Sequence, residues 1–327
     1  MRAQALFLPV LCVTGLFAQR SAPPDDVRVE LRCVKEPARF HMGEVIAIQL
    51  SFTAKAPRRR HLHPVSSSRN PDVGQRFLVT PREGTRDPLQ TYMASTPRWH
   101  GDYELGYQTL GPEPETVDMA LNEWVRFDRP GKYSLKAIIP VAAEDGSTAH
   151  PGSATLELMS NEIGLEIEPP DPPWEKAELA RLLPKLKDEP RQTPRPGQDV
   201  DALTALSFLG TDDSLRELAR RLQPDATGEE RCLPCALGLM GSGGRAAGIE
   251  EMQKLLRDPD FPISTLFLDS LAVVPLHAED PPELLRKQWQ ENFAQGQAAL
   301  AAALSIKRGR AQAVSAKTIL KRLSQAP

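Results

Sequence analysis

The sequence predicts a multidomain β + α chain, with an antiparallel β-sandwich in its N-terminal half and a helical-repeat domain in its C-terminal half. Three observations predict it. Apolar and polar residues alternate with period two in several short stretches before residue 168. After residue 200 an apolar motif recurs at an offset of 31 residues. Between the two patterns lies Pro169-Pro170-Asp171-Pro172-Pro173, whose prolines read as a stiff, extended connector. The predicted boundaries are a signal peptide at 1–20, the sandwich at 25–168, the connector at 169–173 and the helical domain at 174–327.

The first element is the signal. Met1-Arg2 is basic, Ala5–Phe17 is almost wholly apolar, and polarity resumes at Gln19-Arg20-Ser21. That order is that of a secretory signal, with Gly15 or Ala18 as the small residue at the cut. An apolar run of thirteen residues falls short of the ~20 that a membrane-spanning helix needs. Leu11 stands before Cys12 where a lipoprotein signal needs a small residue, so lipidation is not expected. The expectation is an exported chain, periplasmic or secreted, with no transmembrane anchor once the signal is removed.

The sandwich elements follow. Val27, Val29 and Leu31 alternate with Arg28, Glu30 and Arg32, the pattern of a half-buried strand. Phe40–Glu44 turns into a second alternating run at 45–52, where Ile46, Ile48, Leu50 and Phe52 share one face. Further strands are predicted at 76–80, 124–127, 132–141, 154–158 and 162–167. Asp128-Arg129-Pro130-Gly131 supplies the turn between two of them. The run 128–135, with Asp128, Gly131, Tyr133 and Leu135, resembles the tyrosine corner of immunoglobulin-like sandwiches. There the tyrosine hydroxyl bonds back to nearby backbone.

The helical elements come in pairs. Residues 205–211 match 236–242, and 267–271 match again at the same offset of 31. Each copy is followed by a polar turn and a second amphipathic stretch, at 214–222, 248–256 and 282–289. One such pair cannot cover its own apolar face, so neighbours stack. The pattern resembles a short, degenerate HEAT-type repeat, the alternative being an irregular helical bundle. Residues 174–187 are expected to cap one end, and two helices near 290–306 and 311–323 the other. Taken together, the signal, the run Leu121–Leu135, the proline connector and the repeats resemble a group of uncharacterised exported bacterial proteins. These combine an Ig-like β-sandwich with a HEAT-like α-solenoid. The resemblance covers most of the chain and implies no activity.

Composition narrows the function classes. A formal charge of -3 gives no global field for nucleic acid or an anionic membrane. Aromatic residues make up only 6%, yet four of the eight Tyr and Trp residues fall between Pro88 and Pro112. These are Tyr92, Trp99, Tyr103 and Tyr107, interleaved with Arg98, His100 and Asp102. Aromatic side chains give large contact area at low entropic cost. Tyr92, Trp99, Tyr103 and Tyr107 are the candidate contact surface, with Arg98 and Asp102 setting polarity. The alternative is that these rings bury and anchor a long insertion.

Cys232-Leu233-Pro234-Cys235 has the spacing of thioredoxin-like redox pairs. No βαβ pattern surrounds it. Thr227-Gly228-Glu229-Glu230 reads as a capping box that starts the helix early and leaves Pro234 inside it. A local disulfide or buried thiols is the expectation, and thiol-disulfide exchange through Cys232 the alternative. The basic loop Arg58–His63 reads as solvated. The histidines lack metal-ligand spacing, and Gly241–Gly244 lacks the lysine of a phosphate loop. No hydrolase, metalloprotease or dinucleotide motif is present, so no catalytic residue, metal or cofactor is predicted. The expected function is a non-catalytic exported interaction or ligand-binding protein, with a protein or envelope-polymer partner. The alternatives are a periplasmic thiol-disulfide oxidoreductase and an envelope carbohydrate binder.

Overall fold

The structure, a computed structural model, describes residues 27–55, 76–95, 110–142, 155–187, 202–223, 232–241, 245–258, 260–277 and 280–305. Strands occupy the N-terminal part and helices the C-terminal part, with one short helix placed among the strands.

Alternation shapes the first sheet. β1 (Val27–Cys33) buries Val27, Val29 and Leu31 and turns its arginines and Glu30 to solvent. After the short β2 (Arg39–His41), β3 (Ala47–Ala54) sinks Ile48, Leu50, Phe52 and Ala54 to the same side. β1 and β3 pair antiparallel from Val27↔Ala54 to Cys33↔Ile48. The next strands are β4 (Arg76–Thr80), the two-residue β5 (Thr85–Arg86) and β6 (Glu115–Ala120), which closes a three-stranded sheet in the order β1-β3-β6.

A second sheet of five strands lies against the first. It is built from β2, β4, β8 (Gly131–Ala142), β9 (Thr155–Met159) and β10 (Ile163–Glu168). β8 is its hub, pairing antiparallel with β4, β9 and β10. One pairing departs from the antiparallel expectation: β2 runs parallel to β10. Phe40, Ile48, Leu50, Phe52, Leu121 and Leu135 fill one core between the sheets.

The predicted strand at 124–127 is corrected to two residues. Leu121–Glu123 forms a 3-10 turn, and only Arg126–Phe127 is strand (β7), paired with β5. The cause is Asn122. Its Oδ1 accepts from the Ile46 amide at 2.7 Å and its Nδ2 donates to the Glu44 carbonyl at 2.9 Å, so a buried side chain takes over bonds that a strand neighbour makes elsewhere. Downstream, the Tyr133 hydroxyl donates to the Arg129 carbonyl at 2.9 Å, and its ring meets Phe127 edge-on.

The helices are α1 (Gln90–Ser95), α2 (Pro172–Leu182), α3 (Ala202–Leu209), α4 (Asp212–Arg221), α5 (Leu233–Met240), α6 (Arg245–Arg257), α7 (Thr265–Val273) and α8 (Pro282–Ser305). α2 takes in the last two prolines of the connector. Proline needs no amide partner in a first turn, and the Asp171 carboxylate caps the Trp174 amide at 3.2 Å. Thr211 and Ser264 cap α4 and α7 through their hydroxyls. α3 packs on α5 and α5 on α7, while α4 packs on α6. A Cβ on Gly238 of α5 would stand 2.9 Å from Ser207 Cα of α3, so a glycine lets these two helices meet closely.

Two expectations about the helices are corrected. Residues 282–289 and the predicted helix near 290–306 form one continuous helix, α8, with no break at 290. The helix carrying the cysteine pair starts at Leu233, with Cys232 as its N-cap, so Pro234 lies in the first turn and no kink is required. The predicted helix at 311–323 lies outside the described residues. Among the described residues, no helix is long and apolar enough to cross a membrane.

The strand-rich and helical parts touch. α1 emerges from the strand-rich part and packs on α8 and α7. Gly43 has φ 85°, and a Cβ there would fall 2.7 Å from the Leu209 carbonyl oxygen at the end of α3. Pro88 meets Gly241 just beyond α5.

Candidate functional site

The sequence-predicted aromatic surface is placed only at its edge. Tyr92 sits on α1 and is 7% exposed, packed in the core of the helical part. It is therefore an anchor, and the prediction that it forms contact surface is corrected. α1 lays its buried face on α7 and α8, which removes that ring from solvent. Arg98, Trp99, Asp102, Tyr103 and Tyr107 lie outside the described residues, as does the basic loop Arg58–His63. The two residues that flank 96–109 are both fully buried: Ser95 at the end of α1 and Leu110 in the core between the sheets.

Cys232 and Cys235 form a disulfide, with exposures of 2% and 0%. Cys232 does cap a helix, the position that lowers a thiol pKa. Burial of both sulfurs nevertheless closes off attack by a protein thiol. Among the described residues the remaining thiol, Cys33, is half-buried, and burial pushes its pKa up, the reverse of an activated nucleophile. Among the described residues, no group of three His, Cys, Asp or Glu side chains could hold a metal ion.

A site that the sequence reading missed lies where the two parts meet. A cavity of about 290 Å³ is walled by β2 and the turn after it, by the 121–128 segment, by Ile167 and by the C-terminal end of α3. Arg126 dominates it. This side chain is 7% exposed, and its Nη2 donates to the Ser207 carbonyl on α3 at 3.2 Å. Its guanidinium carbon lies 4.4 Å from the centroid of the Phe208 ring. No carboxylate is within ion-pairing distance of it among the described residues, and its buried Nε has no hydrogen-bond partner. Burial, reinforced by the Arg86 charge, lowers the Arg126 pKa to about 9, so the group is still a cation at neutral pH.

Arg86 and Asn122 beside Arg126 have partners, whereas the buried His41 Nδ1 makes no hydrogen bond. Arg86 Nε bonds to both Asp128 carboxylate oxygens, at 2.9 and 2.8 Å. The Asn122 amide is engaged at both ends, as described. His41 stacks on Trp174, with centroids 4.5 Å apart, and its Nδ1 lies 3.5 Å from Glu168 Oε2. Met42, Ile46, Phe127, Ile167 and Leu209 make the rest of the wall largely apolar. The one signal available beforehand was an arginine within Trp124-Val125-Arg126-Phe127, flanked on both sides by residues that bury.

No family model matches this chain. No curated protein matches it either. Among solved structures, it is similar to native alpha-2-macroglobulin from Escherichia coli, spanning domain MG7 to the C-terminus. The identity is 14% over 88% of this chain and 55% of that one, with a TM-score of 0.24. Salmonella alpha-2-macroglobulin reacted with methylamine gives 13% identity over 92% of this chain and 21% of that one, with a TM-score of 0.25. AvmM, which catalyzes macrocyclization in alchivemycin A biosynthesis, gives 12% identity over 45% of this chain and 92% of that one, with a TM-score of 0.22. The chain thus spans about half the length of the first of these. Likenesses of this size carry no argument about fold or function.

Proposed function

We propose that the chain is a non-catalytic exported interaction protein in which an immunoglobulin-like sandwich and a HEAT-like solenoid hold a protein or envelope-polymer partner at their junction. The observation that carries this reading is the burial of the two residues that flank the aromatic segment. Ser95, at its near end, is buried on a helix that packs against α7 and α8, whereas Leu110, at its far end, is buried between the sheets. Residues 96–109, which carry Trp99, Tyr103 and Tyr107, lie between these two buried residues in the sequence. A chain segment whose flanking residues are held in place loses less entropy when its side chains take up a partner.

Two further observations support the fold half of the reading. The Tyr133–Arg129 bond occupies the place of a tyrosine corner. The helical pairs keep the 31-residue register in space: Gly238 lies over Ser207, and Arg220 on α4 donates to Glu251 on α6 at 2.8 Å. The thiol-disulfide alternative is opposed by the burial of both sulfurs. Oxidative labelling of the folded protein tests the reading. Trp99 and Tyr103 are expected to label as fast in the native chain as in urea, and protection of both rings removes the proposal.

A further inference from the structure

We propose that the cavity at the junction binds a small carboxylic acid with an apolar tail, its carboxylate held by Arg126. The inference concerns a different site from the aromatic segment and does not depend on it. It starts from an imbalance of charge. A guanidinium taken out of water is costly unless an anion or a full set of acceptors replaces its hydration. Among the described residues, Arg126 has the Ser207 carbonyl and the face of Phe208, no carboxylate, and an Nε without a hydrogen-bond partner. Arg86 and Asp128 neutralise each other beside it. Glu123 adds a negative charge at longer range, but among the described residues no anion contacts the Arg126 guanidinium, and a monoanion in the cavity would.

The walls select the rest of the ligand. A phosphate or sulfate needs several donors around it; beside Arg126 the lining offers His41, Arg86, whose Nε is held by Asp128, and Asn122, whose amide is already engaged. Met42, Ile46, Phe127, Ile167 and Leu209 instead offer an apolar lining. At roughly 30 Å³ per water-sized group, 290 Å³ has room for about ten heavy atoms, the size of a medium-chain or aromatic acid. A free fatty acid and the C-terminal residue of a peptide share this chemistry.

The test is calorimetric titration of the full chain with octanoate, benzoate and N-acetyl-leucine, with octanamide, acetate and inorganic phosphate as controls at matched ionic strength. Octanoate or benzoate binding that exceeds acetate and phosphate by tenfold or more supports the proposal, and tighter binding of N-acetyl-leucine assigns the ligand to peptide termini. Arg126→Met is expected to weaken binding at least tenfold. Asp128→Asn frees the Arg86 cation and is expected to tighten binding several-fold, an outcome independent of whether the first variant folds. Equal binding of octanamide, preference for phosphate, retained binding in Arg126→Met, or no gain in Asp128→Asn each overturns it.

Discussion

At the scale of single residues, Arg126 and Asn122 make opposite predictions although both are buried polar groups at the junction. Asn122 is fully paired, so Asn122→Ala strands the Ile46 amide and the Glu44 carbonyl. Two buried backbone groups left without partners cost about 2–4 kcal/mol, to be read as a lower urea midpoint at constant m-value. Arg126 carries a charge that the protein only partly compensates. Arg126→Met is therefore expected to match or exceed the wild-type stability at pH 7, since an apolar chain of similar length removes the burial penalty. The pH dependence follows from the direction of the shift. The folded pKa of about 9 lies well below the ordinary arginine value, so the unfolded chain holds this proton more tightly. Below pH 9 the penalty is present in full; above pH 9 it fades, and wild-type stability rises relative to the variant. Arg86, Glu123 and Asp128 set the local field for this titration. Denaturant melts of both proteins at pH 7 and pH 10.5 check it, and a gap that stays constant across that range contradicts the burial cost.

At the scale of elements, what could be read in advance depended on whether the deciding contacts were local. β1 and β3 were legible because one face of each is buried along its whole length, and that leaves a period of two in the sequence. The pairing of α3 with α5 was legible because the same residues recur 31 positions apart. The 3-10 turn at Leu121–Glu123 was not legible, because Asn122 acts on Ile46, 76 residues away. The length of α8 was misjudged because nothing breaks the helix at 290, and Gly296 faces Leu268 rather than ending it. The burial of Arg126 is decided by Ser207 and Phe208 on a helix 81 residues further on, and no local pattern announces such a contact. Two substitutions probe these helices. Gly238→Ala would put a methyl 2.9 Å from Ser207 Cα and 2.7 Å from a Leu218 methyl, and a forced separation of α3 and α5 is expected to cost about 1–3 kcal/mol. Tyr92→Ala removes a buried ring from under α7 and α8 and is expected to cost about 3–5 kcal/mol. If Tyr92 were contact surface, its removal would leave the thermal midpoint unchanged.

At the scale of the whole molecule, the two parts are tied together by more than the proline connector. α1 is embedded in the strand-rich half of the sequence, yet its buried residues join the helical core. Gly43 approaches the end of α3, Pro88 meets Gly241, and Arg126 reaches the Ser207 carbonyl. Domains joined by a flexible linker alone unfold independently, each at its own midpoint. Here the helical core cannot lose α1 without exposing Tyr92, and the strand-rich part cannot unfold without withdrawing α1. The prediction is a single cooperative transition. Trp124 lies in the core between the sheets and Trp289 in the helical core, so single-tryptophan variants retaining one or the other report the two parts separately. Their fluorescence midpoints in urea are expected to coincide. Tyr92→Ala, which loosens only the tie, is expected to separate them, with Trp289 moving to lower urea first. Two distinct midpoints in the parent chain would show that the junction is too weak to couple the halves, and a cavity walled by both would then lose its fixed shape.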